Sequence, residues 1–175
     1  MTINKTVISK LNPCKDRFDN FVEKYPDFNG NLDSFLDLSN ITYSDKIWVG
    51  VRLLTRNQKA SFSILCADSV LHIFEERFPE DKRPRELLGY LKTVKDFENL
   101  KEEEREKIRA LRNAATAAAA TYADADAATY VAAAGAAAYA ADDAAAYVAA
   151  AAGAYNDRTE QEELNLQFLT IAANV

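Results

Sequence analysis

The sequence predicts an all-α protein, a single-domain helical bundle with closely packed Ala-rich helices. Apolar residues recur at helical spacing through much of the first hundred positions. From Ala110 to Tyr155 the chain is rich in alanine, which is the best helix former. A chain of 175 residues can also bury one core without a metal or a disulfide. Because alanine adds little bulk, we expect these helices to approach closely, with larger side chains filling the remaining space.

The N-terminal extension, residues 1–43, predicts two short helices. Aromatic side chains near helical spacing indicate a first helix from about residue 13 to residue 24. Asn29-Gly30, which follows, is a typical turn dipeptide. Phe35 and the leucines around it then indicate a second helix that ends near Ser39.

Residues 44–100 supply the predicted core helices. Ser44 has the chemistry of an N-cap, and the apolar residues after it share one helical face. A second apolar stretch predicts a helix from about residue 59 to residue 77. The β-branched residues Val49, Val51 and Ile64 leave a strand as the competing interpretation in this region. Beyond it, Pro84 favours the first turn of a third helix, where its missing N–H costs nothing.

Residues 101–156 supply the predicted Ala-rich helices, preceded by a solvated run of mixed charge up to Arg112. One straight helix over residues 110–155 would be about 70 Å long at 1.5 Å per residue, which is too long for a compact domain. We therefore expect the tract to fold back, with breaks near residues 124–126 and 141–143. Thr159 and Glu162 have capping-box spacing, so residues 159–175 are predicted to form a last helix.

Composition disfavours several classes of function. A net charge of −6 disfavours nucleic acid as a partner, because phosphate contacts need a stripe of lysine and arginine. Cys14 and Cys66 share no short spacing and the chain has one histidine, so we expect no metal and no other cofactor. The sequence shows neither a signal-peptide core nor an apolar run long enough to span a membrane. We expect a cytoplasmic protein; a homo-oligomer formed through an Ala-rich face stays open.

The candidate partner-binding residues all lie in the Ala-rich tract. They are the four aspartates that are the only charged residues between residues 113 and 155, and two of the tyrosines: Asp124, Asp126, Asp142, Asp143, Tyr130 and Tyr147. Such carboxylates would suit a basic protein partner. The competing interpretation is structural, since aspartate caps helix N-termini and tyrosine among alanines fills space. Paired carboxylates can also catalyse hydrolysis, but this spacing implies no cleft that would separate their pKa values, so we expect no enzyme.

A second candidate site is the basic group around the predicted start of the Pro84 helix. Arg83 and Arg85 could bind a phosphate there, because unpaired N–H groups and basic side chains converge at a helix start. Local ion pairs are the alternative. The acidic residues that surround the group are Glu80, Asp81 and Glu86.

The order of several segments resembles a known family. Residues 66–71 are Cys-Ala-Asp-Ser-Val-Leu, Phe74-Glu75 follows, and residues 79–86 are Pro-Glu-Asp-Lys-Arg-Pro-Arg-Glu ahead of the Ala-rich tract. Over about residues 60–155 the chain resembles the Ala-rich immunity proteins of polymorphic toxin systems, the fifth numbered immunity family. The tract in that family carries more arginine and histidine, whereas here it carries tyrosine and aspartate.

The resemblance implies a helical, non-enzymatic inhibitor that neutralises a toxin or defence effector by direct binding, without a defined set of contact residues. Relatives with an N-terminal extension also occur in bacteriophage genomes, so the same binding could serve viral counter-defence. The alternative hypothesis is a small-ligand sequestering protein, in which Arg83, Arg85 and tyrosines hold a nucleotide signal. Calorimetry with a panel of nucleotides separates the two hypotheses.

Overall fold

A computed structural model describes residues 2–121 and 158–175. This part of the chain contains eight helices and one two-stranded sheet, so the prediction of a mostly helical fold is confirmed. The chain divides into two compact units, Met1–Leu53 and Leu54–Val175. That these units belong to one domain stays a prediction. Over the two described ranges, no helix has the length and hydropathy needed to cross a membrane.

The N-terminal unit pairs two very short strands and packs four helices. Its elements are β1 (Ile3–Asn4), α1 (Lys5–Ser9), α2 (Lys15–Lys24), β2 (Asn29–Gly30), α3 (Leu32–Leu36) and α4 (Tyr43–Leu53). The strands run antiparallel, with Ile3 opposite Gly30. The core of this unit includes Phe21 and Phe35, whose ring centroids lie 6.1 Å apart.

The dipeptide Asn29-Gly30 forms β2, so the prediction of a turn at these two residues is wrong. Its backbone pairs with the start of the chain, a long-range contact that local turn preferences do not report. Glycine is needed because a Cβ atom at residue 30 would lie 2.9 Å from the ring of Phe28 and 3.0 Å from the Cβ of Ser34. The close approach of these side chains fixes the strand beside α3.

Helices α2 and α3 lie where the sequence predicted them, although α3 ends at Leu36, before Ser39. Helix α4 also forms, which excludes the competing strand at Val49 and Val51. Its cap differs from the prediction. The hydroxyl of Thr42 accepts a hydrogen bond from the Asp45 N–H at 3.2 Å, and Ser44 lies inside the helix.

The C-terminal unit contains α5 (Arg56–Arg77), α6 (Arg83–Leu91), α7 (Glu102–Thr121) and α8 (Arg158–Ala173). Helix α5 packs against α6 and α8, and α6 packs against α7. A capping box of Thr55 and Gln58 starts α5 three residues before its predicted start. Helix α8 already includes Thr159, so the prediction of Thr159 as its N-cap is wrong.

Polar side chains are buried where α8 packs on α5. The amide of Gln161 donates to Ser69 Oγ at 3.2 Å and to Asn165 Oδ1 at 3.0 Å, and Ser69 Oγ donates to the Cys66 carbonyl at 2.8 Å. Ser63 on α5 is fully buried too, but within the described ranges its hydroxyl has no hydrogen-bond partner. Buried polar groups usually have hydrogen-bond partners. The hydroxyls of Ser69 and Ser63 can therefore be compared for their contributions to stability.

Helix α7 shows how the first alanines of the tract pack. Ala115 and Ala118 are fully buried, and Ile108, two and three turns earlier, is 7% exposed. Helix α7 packs against α6, and small buried side chains of this kind suit close packing of helices. The predicted breaks at 124–126 and 141–143 lie outside the described residues.

Candidate functional site

Four charged side chains meet where α6 lies against α5. On α5, Asp68 and Glu75 are seven residues apart, which is close to two helical turns, so both lie on one face. Arg85 on α6 and Lys92 at its C-terminal cap have the same spacing. The chain reverses direction between α5 and α6. Pro84 is buried in the first turn of α6, a position that suits proline. The α5–α6 ion-pair cluster therefore sets two carboxylates against two cations.

Arg85 is the centre of this cluster. Its guanidinium donates to both carboxylate oxygens of Glu75, from Nε at 2.8 Å and from Nη2 at 2.6 Å. Its Nη1 donates to Asp68 Oδ1 at 2.5 Å, and the other oxygen of Asp68 accepts from Lys92 Nζ at 2.7 Å. A two-pronged contact of this kind suits the planar guanidinium and fixes its orientation. Each carboxylate of the cluster is thus held by at least two hydrogen bonds.

The cluster stabilises the ionised forms of Asp68, Glu75 and Arg85. Burial raises the pKa of Asp68, but the hydrogen bonds and charges of Lys92 and Arg85 outweigh burial and hold it below its ordinary value. The hydrogen bond from Arg85 lowers the pKa of Glu75 as well. The pKa of Arg85 is raised, chiefly by its bond to Glu75. A general acid or base needs a pKa near the working pH, so these shifts favour a structural clamp over proton transfer.

Arg83 makes a separate two-pronged ion pair with its neighbour Asp81. Its Nε lies 2.9 Å from Asp81 Oδ1, and its Nη2 lies 2.6 Å from Oδ2. Asp81 also accepts from the backbone N–H of Arg83 at 3.2 Å, which holds the start of α6 in place. The predicted alternative of local ion pairing is what the structure shows for Arg83.

Arg83 and Arg85, the two candidate ligand-binding residues, bind different carboxylates. A phosphate that binds the Arg83 guanidinium would have to displace Asp81. A phosphate that binds the Arg85 guanidinium would have to displace Glu75. The sequence predicted nearby acidic partners, which is right for Arg83, but the partners of Arg85 lie on α5. The signal that could have found them is the seven-residue spacing shared by the two carboxylates and the two cations.

The candidate partner-binding residues of the Ala-rich tract lie outside the described residues. These are Asp124, Asp126, Asp142, Asp143, Tyr130 and Tyr147. Their role as contacts for a basic partner stays a prediction.

The remaining reactive side chains of the described ranges do not converge. Cys66 is fully buried, and burial raises the pKa of its thiol well above the ordinary value. His72, six residues further along α5, is exposed. In residues 2–121 and 158–175, no three His, Cys, Asp or Glu side chains are arranged to hold a metal ion.

Comparison of the chain with models of known protein families, with curated proteins and with solved structures finds no match. The resemblance to the Ala-rich immunity proteins therefore rests on the residues quoted for it. Those residues include Asp68, Glu75, Arg83 and Arg85, which the structure places in the contacts between and within α5 and α6.

Proposed function

We propose that this protein is a non-enzymatic inhibitor that binds and neutralises a toxin or a defence effector in the cytoplasm, as an immunity or phage counter-defence protein. The partner is a basic protein, and the contacts come from the acidic, tyrosine-bearing part of the Ala-rich tract. The observation that carries the proposal is the uneven distribution of charge along the chain.

Residues 122–157 contain five aspartates and neither lysine nor arginine, so this segment accounts for five of the six net negative charges. In the described part of the chain, acidic and basic residues almost balance. Many of those charges also pair locally, as in the α5–α6 ion-pair cluster. A concentrated negative charge speeds association with a basic partner and disfavours acidic competitors. The segment 122–157 is therefore the part of the sequence best suited to recognise a cationic surface.

The described helices favour binding over catalysis. Cys66 is buried while His72 is exposed, so these two residues do not form a nucleophile and base. The carboxylates of the α5–α6 ion-pair cluster are held ionised by their cations. Both candidate phosphate ligands, Arg83 and Arg85, are engaged by carboxylates, which weighs against a nucleotide held at that place.

The test begins with capture of the tagged protein from its native cells and identification of its stoichiometric partner. The purified partner is then titrated with wild type and with a variant in which Asp124, Asp126, Asp142 and Asp143 are all changed to asparagine. We expect the association rate to fall at least tenfold, with a weaker dependence on salt, because the attraction between the two fields is reduced.

A matched control removes the same charge elsewhere. It changes four exposed carboxylates of the described helices and loops: Asp27→Asn, Asp37→Asn, Glu76→Gln and Glu106→Gln. The control should bind with nearly the wild-type rate. Equal loss in both variants would show a dependence on net charge alone and would contradict the proposed surface. A purified protein that carries a nucleotide and binds no protein would favour the sequestering hypothesis instead.

A further inference from the structure

The C-terminal unit contains a groove beside the α5–α6 ion-pair cluster, and Lys92 is the one cluster residue that lines it. It lies between α5 and the segment that follows α6, and its volume is about 310 Å³. Small-molecule sites usually begin at about 300 Å³, so the groove can hold a compact ligand. The aromatic-lined cavity of the N-terminal unit measures only about 30 Å³, which is room for little more than one or two water molecules.

The floor of the groove is apolar. Leu91 is fully buried and Phe97 is 6% exposed, while Leu65 and Val94 are half-buried. Val175, which also lines the groove, is 85% exposed. A ligand with an apolar body would remove part of this surface from water, and that removal is the main source of affinity for such sites.

The charged side chains that line the groove are those of two lysines, Lys92 and Lys95. Lys92 uses one donor for Asp68, and its side chain is 47% exposed, so two further N–H groups can reach a ligand. Asp68 would stay paired even if Lys92 turned towards the groove, because Arg85 also binds it. Lys95 is exposed, and no ion pair of Lys95 occurs among the described residues. The two lysines therefore give this edge of the groove the hydrogen-bond donors and positive charges that an anion needs.

We propose that this groove binds a small carboxylic acid, with its alkyl body on Leu65, Leu91, Val94 and Phe97 and its carboxylate paired with Lys92 and Lys95. A single carboxylate matches two adjacent cations, whereas a cationic ligand would be repelled. A nucleotide fits less well because, besides the two lysines, only the Ser61 hydroxyl and the Asn57 amide among the lining side chains could hydrogen-bond a base. The amide of Asn57, which could have done so, is occupied by the Phe97 N–H and by Asp96. This site does not depend on the proposed protein partner.

The probe for this proposal is decanoate at submicellar concentration, compared with the neutral decanol and the cationic decylammonium. Calorimetry should show saturable binding that weakens from decanoate to decanol and further to decylammonium. Shortening the chain from decanoate to octanoate should weaken binding roughly fifteenfold, since each of the two buried methylenes contributes a factor of about four. Backbone amide shifts in the folded protein should concentrate in residues 57–65 and 91–97.

Two variants test whether the ligand binds in this groove. Lys95→Met keeps the apolar stem and should weaken decanoate binding about fivefold while leaving decanol binding unchanged. Lys107→Met, an exposed lysine on α7, is the control and should have no effect. Val94→Trp fills the groove and should abolish binding of both decanoate and decanol. Circular dichroism checks that the helix content of this variant is unchanged. The proposal is overturned by absence of saturable binding, by equal binding of decanoate and decylammonium, or by full binding to a folded Val94→Trp variant.

Discussion

Replacing Arg85 with methionine tests whether the α5–α6 ion-pair cluster holds the C-terminal unit together. Methionine keeps an unbranched apolar stem but removes the charge and three hydrogen bonds. An exposed ion pair contributes at most about 1 kcal/mol, and breaking a buried pair costs about 3–5 kcal/mol. The Arg85 side chain is 38% exposed and that of Glu75 is 26% exposed, so the case is intermediate. We expect a loss of about 2 kcal/mol in the free energy of unfolding.

The assay is unfolding in urea, followed by circular dichroism, with thermal unfolding as a second measurement. A loss of this size should lower Tm by roughly 4–8 °C for a chain of this length. Arg85→Lys keeps the charge without the two-pronged geometry and should fall between wild type and Arg85→Met. Arg109→Met, an exposed arginine on α7, is the control and should stay within about 0.5 kcal/mol of wild type. An Arg85→Met variant as stable as this control would refute the clamp.

The dependence on pH separates charge from packing in the same variant. In the folded protein the pKa values of Asp68 and Glu75 lie below their ordinary values of 3.8 and 4.5. Groups with lowered pKa values stabilise the fold above the ordinary values, and this contribution is lost as the pH falls through the lowered ones. The gap between wild type and Arg85→Met should therefore be full at pH 7 and shrink below pH 4.5. A gap that persists in acid would mean that packing at residue 85, rather than the ion pairs with Asp68 and Glu75, provides the stability.

The other predictions concern hydrogen bonds of α5, measured in the same urea assay. Ser63→Ala should be neutral or stabilising by up to about 1 kcal/mol, because it removes a buried hydroxyl that has no partner in the described ranges. Ser69→Ala should instead cost about 1–2 kcal/mol, because the Gln161 amide loses an acceptor; equal effects at the two serines would contradict this account. Thr55→Ala should cost about 1 kcal/mol by opening the capping box with Gln58, and a cost no larger than that of an exposed Ser44→Ala would contradict it.

The helices that the sequence predicted well carry strong local signals. Helix α6 begins at Arg83 because Pro84 suits a first turn, and α2 shows its amphipathic spacing over its whole length. Helix α1 and the two strands were not predicted, because their local signals are weak. Helix α1 has five residues and begins because the Asn4 side chain accepts a bond from Val7, and Asn4 also pairs in β1. Two-residue strands depend on a partner far along the chain, which no local pattern contains.

The sequence contains a signal for the start of α5 that lies three residues before the predicted start. Thr55 and Gln58 stand at capping-box spacing, and both reciprocal bonds form. Apolar periodicity alone predicts a later start, because the first turn of this helix is polar. A cap is a more exact marker of a helix start than the first apolar residue, since it satisfies N–H groups that the helix itself leaves unpaired.

The ion-pair partners of Arg85 illustrate what a sequence reveals about a site. Local spacing predicted acidic neighbours, and Asp81 does pair with Arg83 two residues away. Arg85 instead bonds to carboxylates ten and seventeen residues earlier, and that pairing requires α6 to run back along α5. Knowledge of two antiparallel helices, joined to the seven-residue spacing on each, would have been enough to predict it.

The segments that carry the family resemblance are the ones that hold α5 and α6 together. Asp68, Glu75 and Arg85 are engaged with one another, so a partner could use them only by breaking the contacts that fix the scaffold. Under the proposed function, specificity comes from residues outside these segments, and the acidic part of the Ala-rich tract is where this sequence differs from the family that it resembles. It follows that Arg85→Met should weaken partner binding only in proportion to unfolding, whereas the four Asp→Asn changes should slow binding in a protein that remains folded. Slow binding by Arg85→Met under conditions where it is fully folded would place the interface on α5 and α6 instead.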